Sequence, residues 1–215
     1  MGICGMHIFE YFLLKVNRTM IKVLFPKNEK KSNDFLKVNS INLFNNQLNP
    51  EQIKAVKRIM KLNSPHPFIL FGPPGTGKSK TMIESIKQVW KNSPDSFIIV
   101  AAHSNVAVDL LLEELICDVP SREHIRRIAS KSWIPQMSEK IRKYTTVNKD
   151  AIFGMKKLRI LCGTLQILGS VKISKQKNVS HLFIDEAGQT SEPDVLIPWT
   201  KLLSMIFQYS SRNLK

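Results

Sequence analysis

The chain has 215 residues with 43% apolar content, the composition of a soluble globular protein able to bury one substantial core. Its 32 Lys and Arg against 17 Asp and Glu give a formal net charge of +15, which favours a polyanionic partner, either nucleic acid or an anionic membrane surface. Three cysteines, Cys4, Cys117 and Cys162, are odd in number and far apart, which argues against a disulfide framework or a zinc cluster and suits a reducing compartment.

In chain order, the apolar run from Ile8 to Leu14 is short, carries Glu10 and lacks a basic leader, so it reads as neither a signal peptide nor a membrane span. Asn17-Arg18-Thr19 and Asn178-Val179-Ser180 fit the glycosylation acceptor pattern, which has no consequence in the cytosol. Met6 stands where a myristoylation signal opening at Gly2 needs Ser or Thr. Phe25 to Asp34 is a polar connector, and a domain boundary is expected in or just after it. Asn49-Pro50-Glu51-Gln52 then supplies a capping residue, Pro at the first helical position and Gln at the third, ahead of Ile53, Val56, Ile59 and Met60 at helical spacing.

From Pro67 short apolar runs alternate with longer amphipathic segments, the pattern of strands and helices in a parallel sheet. The predicted strands are Phe68 to Phe71, Phe97 to Ala102, Leu158 to Cys162 and His181 to Ile184; helical periodicity covers Lys78 to Trp90 and Val106 to Cys117. The basic stretch from Pro120 to Ala151 shows no clear period and is expected to be a helical or loop-like excursion from the sheet.

Gly72-Pro73-Pro74-Gly75-Thr76-Gly77-Lys78-Ser79 matches the phosphate-binding pattern G-x-x-x-x-G-K-[ST] in full and stands between a strand-like run and a helix. The glycines let backbone N–H groups turn inward as an anion nest, completed by the positive end of the helix dipole. Lys78 is then placed to reach the outer phosphates, and the Ser79 hydroxyl to coordinate Mg²⁺. About a hundred residues on, the apolar run through Ile184 ends in Asp185 and Glu186. Asp185 is expected to hold Mg²⁺, and Glu186 to orient or deprotonate the attacking water.

Four motifs in fixed order carry a resemblance: Leu48 to Gln52, Gly72 to Ser79, Ser104-Asn105-Val106-Ala107-Val108-Asp109, and Asp185-Glu186-Ala187-Gly188-Gln189. They resemble those of superfamily 1 RNA helicases, and within these of the Armitage-like group that acts in small-RNA silencing and is related to the nonsense-mediated decay helicase. Glu192-Pro193 and Val195-Leu196-Ile197-Pro198 support the narrower assignment. The resemblance implies an α/β fold, a three-layer RecA-like P-loop NTPase domain with a central parallel sheet. It further implies an ATP-binding RNA helicase, a hydrolase using ATP and Mg²⁺ on single-stranded RNA, monomeric, with silencing proteins as partners. Its expected place is the cytoplasm and its ribonucleoprotein granules, with no membrane contact.

Residue roles follow from the same likeness. Catalysis is expected from Lys78, Asp185, Glu186 and Gln189, the last linking nucleotide state to a partner domain. Nucleotide binding is expected from Gln52, Gly72, Pro73, Pro74, Gly75, Thr76, Gly77, Lys78 and Ser79, and the metal from Ser79 and Asp185. Gln52 is the implied adenine contact, although it also fits a capping box. Ser104, Asn105 and Thr164 resemble RNA-backbone contacts; helix capping, and a simple turn at Gly163-Thr164, explain the same residues. His103 stands where the family has Pro, and Ser79 where it more often has Thr. The expected organisation is an accessory remnant and linker over 1–45, the first motor domain over 46–200 and an atypical tail over 201–215. The family's second motor domain, with its arginine fingers, is expected to be absent, leaving weak or no hydrolysis; the alternative is a noncatalytic nucleotide- and RNA-binding module.

Overall fold

In the computed structural model, which describes residues 41–61, 67–174, 177, 179–191 and 193–198, the first regular element is helix α1, Pro50–Met60. It opens on a complete capping box. The Asn49 side chain accepts the Gln52 N–H and the Gln52 side chain accepts the Asn49 N–H, each at 2.8 Å. Val56 and Ile59 are buried on the side that packs against α2, Lys78–Asn92. Then follow β1 (Phe97–Ala102), α3 (Asn105–Leu115), β2 (Ile125–Ile128), α4 (Glu139–Arg142) and β3 (Thr145–Thr146). After these come α5 (Ala151–Gly154), β4 (Ile160–Thr164), α6 (Leu165–Gly169) and β5 (Val179–Asp185). 3-10 helices occupy Lys131–Gln136 and Ala187–Gln189, and residues 193–198 are helical.

The five strands run in the order β3-β2-β4-β1-β5, every neighbouring pair parallel. Parallel pairing demands crossover connections, which put helices on both faces of the sheet. β1 is accordingly buried at all six positions. Ile98, Val100 and Ala102 face a layer containing Ile86, Val108 and Leu112, while Phe97, Ile99 and Ala101 face Ile152, Leu165 and Leu168. The result is the three-layer α/β architecture with a central parallel sheet that the sequence predicts. Register then fixes the working edge: Ala102 pairs with Thr164 on one side and Asp185 on the other, so three strand ends finish level.

Two predictions need correction. Phe68 to Phe71 is not a strand: residues 67–73 are irregular, and Ile69 and Phe71 are 78% and 92% exposed. Among the described residues no strand pairs with this run, and apolar composition alone cannot form a ladder without a neighbour. The stretch from Pro120 to Ala151 is not only an excursion, since it contributes β2 and β3 to the sheet. Its strand Ile125-Arg126-Arg127-Ile128 hid because the chain buries Arg127 completely where an apolar residue is the norm.

Ahead of α1, Glu84 on α2 is 1% exposed and takes the Phe44 and Asn45 N–H groups on its two oxygens, both at 3.0 Å. Gln88 donates to Glu84 Oε1 and to the Asn42 carbonyl at 2.8 Å each. Residues 42–45 are thereby fastened to the helix that follows the phosphate loop. Most of the predicted accessory remnant and the predicted tail lie outside the described residues, as does Glu192. Among the described residues, no helix is long and apolar enough to cross a membrane.

Candidate nucleotide and nucleic-acid site

The phosphate loop turns through Gly75 and Gly77, whose φ angles of +79° and +78° lie in the left-handed region that glycine adopts without strain. At Gly77 a second constraint applies: a Cβ there would stand 2.5 Å from Gln52 Nε2. That nitrogen donates to the Thr76 carbonyl at 3.0 Å, so the Gln52 amide closes the capping box with its oxygen and ties α1 to the loop with its nitrogen. The Thr76 hydroxyl donates to the Pro73 carbonyl at 2.8 Å, bracing the turn across Pro74. Lys78 Nζ donates to the carbonyls of Gly72 at 2.7 Å and Pro73 at 2.8 Å. Its ammonium is therefore folded across the loop it serves, within reach of an anion seated there.

Ser79 and Asp185, 106 residues apart, meet: the Ser79 hydroxyl donates to Asp185 Oδ2 at 3.1 Å, with Oδ1 at 3.5 Å. Asp185 closes β5, and its Oδ1 also accepts the Glu186 N–H at 3.0 Å, which fixes the carboxylate's rotation. A hydroxyl and a carboxylate at one point are the oxygen donors that Mg²⁺ takes from protein, so the residues present fit that ion beside a triphosphate. Glu186 has φ +53°, the one positive φ of a non-glycine residue among those described. This holds its exposed side chain above the strand end, at an energetic cost of about 1 kcal/mol or more. Gln189 follows in the turn, its N–H donating to the Glu186 carbonyl at 2.9 Å.

On the other side of β1 the level strand ends build a second locus. Ser104 caps α3, its Oγ accepting the Ala107 N–H at 3.1 Å, so the capping explanation for this residue is realised. Thr164 ends β4 where α6 begins. Gly163 is a packing residue: a Cβ would lie 2.9 Å from Ile128 Cγ2 and 3.1 Å from Ile167 and Leu168. Asn105 and Thr164 line a cleft of about 250 Å³ together with His103, Leu165, Gln166 and Asp194.

Beneath this cleft lies a network built on Arg127, a residue without a sequence signature. Arg127 is fully buried; its Nε stands 2.6 Å from Asp109 Oδ1, an ion pair off the N–H axis. Its Nη2 donates to Asn105 Oδ1 at 3.0 Å and to the Asn105 carbonyl at 3.3 Å. Trp133 Nε1 donates to the second Asp109 oxygen at 2.8 Å. Burial draws the Arg127 pKa below the ordinary guanidinium value while Asp109 draws it back, and the group stays charged. His103, Gln166 and Asp194 were also missed as site residues, although each stands within two residues of a strand end or in the segment after the acidic motif, where ligand-facing loops are found.

Residues 47–151 and 121–205 match the family model described as an AAA domain. The helicase MOV-10 of Gallus gallus is 32% identical over 203 residues, 89% of this chain and 21% of the relative. The RNA helicase Mov10l1 of Mus musculus is 37% identical over 188 residues, covering 84% and 15% respectively. The ATP-dependent helicase upf1 of Schizosaccharomyces pombe is 33% identical over 190 residues, covering 71% and 20%. The chain belongs to the Armitage-like group of superfamily 1 helicases. The chain spans between 15% and 21% of the length of those relatives. Membership implies use of a nucleotide.

Proposed function

We propose that this helicase chain is the first motor domain, over 46–200, of an RNA helicase that uses ATP and Mg²⁺ and serves small-RNA-mediated silencing in the cytoplasm and its granules. The observation that supports the catalytic reading is the 3.1 Å contact between Ser79 and Asp185, which brings together from distant parts of the chain the two residues proposed to hold the metal. The RNA assignment follows the likeness to the Mus musculus RNA helicase and the net charge of +15. The silencing link rests on the family resemblance.

The loop from Gly72 to Ser79 would cradle the phosphates, and Gln52 would contact adenine from α1 while bracing the loop. Mg²⁺, when bound, neutralises phosphate charge and polarises the terminal phosphoryl group. Lys78 would exchange its two carbonyl partners for the outer phosphates, a charge-assisted contact stronger than either. Glu186 would orient the attacking water and accept its proton at the carboxylate, and Gln189 would sense the outcome. Ser104, Asn105 and Thr164 would hold the RNA backbone at the neighbouring strand ends. An arginine supplied by a neighbouring domain typically contributes ~10³ to 10⁵ in rate, so turnover by residues 46–200 taken alone is expected to be weak.

The test is steady-state ATP hydrolysis by the purified chain with and without single-stranded RNA, beside Lys78→Ala. Weak turnover raised by RNA and lost in the variant is expected. Turnover indifferent to Lys78→Ala would sink the assignment; binding of both ligands without turnover would leave a noncatalytic module.

A further inference from the structure

We propose that Arg127 is a positioning residue for nucleic acid: it locks the Asn105 carboxamide so that the NH₂ group faces the cleft and donates to a phosphate oxygen of single-stranded RNA. This rests on the RNA reading above. A guanidinium has donors and no acceptor, so whatever approaches Nη2 at 3.0 Å must be the amide oxygen of Asn105 and not its nitrogen. The NH₂ group then points away from Arg127. Asn105 is half-buried on the wall of the cleft, and among the described residues its Nδ2 donates to none. Phosphate oxygens only accept, so an amide turned the other way would oppose the backbone it is meant to hold.

The lock is rigid for physical reasons. Arg127 is fully buried, so no water competes for it, and its Nε is anchored on Asp109, which Trp133 holds in turn at 2.8 Å. The same Nη2 also takes the Asn105 carbonyl at 3.3 Å, fixing main chain and side chain of the first residue of α3 together. Arginine is required because a fork reaches Asp109 and Asn105 at once. A lysine offers one point of charge and can satisfy only one of them.

The experiment measures binding of a fluorescently labelled single-stranded oligouridylate by the full chain, for Arg127→Lys, Asn105→Ala and the pair combined. Melting temperature and ATP affinity are followed alongside. Each single change is expected to weaken RNA about tenfold, the equivalent of one lost charge-assisted bond, and the double change no further than either alone. ATP affinity should stay unchanged in Arg127→Lys. Additive losses, or Arg127→Lys binding as tightly as the unaltered chain, would overturn the proposal. Should Arg127→Lys fail to fold, Trp133→Phe releases Asp109 without stranding a charge. A loss of about threefold is expected, abolished in the Asn105→Ala background, and no loss would overturn the proposal. An unaltered chain that binds no RNA would overturn the RNA reading and this inference with it; RNA binding indifferent to Asn105→Ala would overturn this inference alone.

Discussion

Burial on β4 pushes the Cys162 thiol up from an ordinary 9.0 to about 12, the nearby Arg127 guanidinium pulling weakly the other way. An acid with a raised folded pKa loses its proton first in the unfolded chain. Stability is therefore untouched by this group below about pH 9 and falls as pH rises toward 12, by up to ~1.4 kcal/mol per pH unit. Urea unfolding at pH 8 and pH 10 should show a steeper loss for the unaltered chain than for Cys162→Ala. At neutral pH a maleimide should label exposed Cys117 and spare Cys162, as peptide mapping would reveal. At this scale the turn of the phosphate loop and the meeting of Ser79 with Asp185 were legible because chemistry restricts the residue type: left-handed turns want glycine, and the proposed hard cation would want oxygen. Arg127 was illegible for the converse reason. Its role depends on burial beside Asp109 and Asn105, and sequence spacing does not report that Asn105 meets a side chain of β2.

Among the elements, α2 carries more than its loop. Glu84 holds residues 44 and 45 on its two carboxylate oxygens, and that short tether leads directly into Asn49 and the capping box that positions Gln52. Glu84→Gln turns one acceptor into a donor facing a backbone N–H. The expected cost is about 1–3 kcal/mol in thermal or urea unfolding, with faster hydrogen exchange at Phe44 and Asn45. Strands β1, β4 and β5 were legible from apolar runs because both of their faces or both of their neighbours are supplied by the core. Phe68 to Phe71 has the same composition and no ladder, while β2 has a ladder and two arginines. Composition reports what a segment would bury, and pairing partners decide what it becomes.

For the whole molecule the net charge of +15 governs association more than fold. Lys54, Lys57 and Lys61 add a cationic side on α1, away from the capping residues. RNA affinity measured between about 50 and 200 mM salt should fall tenfold or more, with log affinity linear in log salt at roughly −0.7 per phosphate contacted. Binding insensitive to salt would contradict a backbone-held RNA. In the proposed reading one sheet edge would serve two anions, a triphosphate beyond Asp185 and a nucleic-acid backbone beyond Ala102 and Thr164, with β1 as the common support of the three level strand ends.

The left-handed backbone at Glu186 sets two kinds of fitness against each other. Glycine at this position would release the unfavourable φ of +53° and raise the melting temperature relative to Glu186→Gln, by the equivalent of about 1 kcal/mol, while removing the carboxylate assigned to the water. A library of variants sorted for heat resistance alone should drift toward glycine at 186 and arrive at inert, hardier proteins; one sorted for turnover should keep the strained acid.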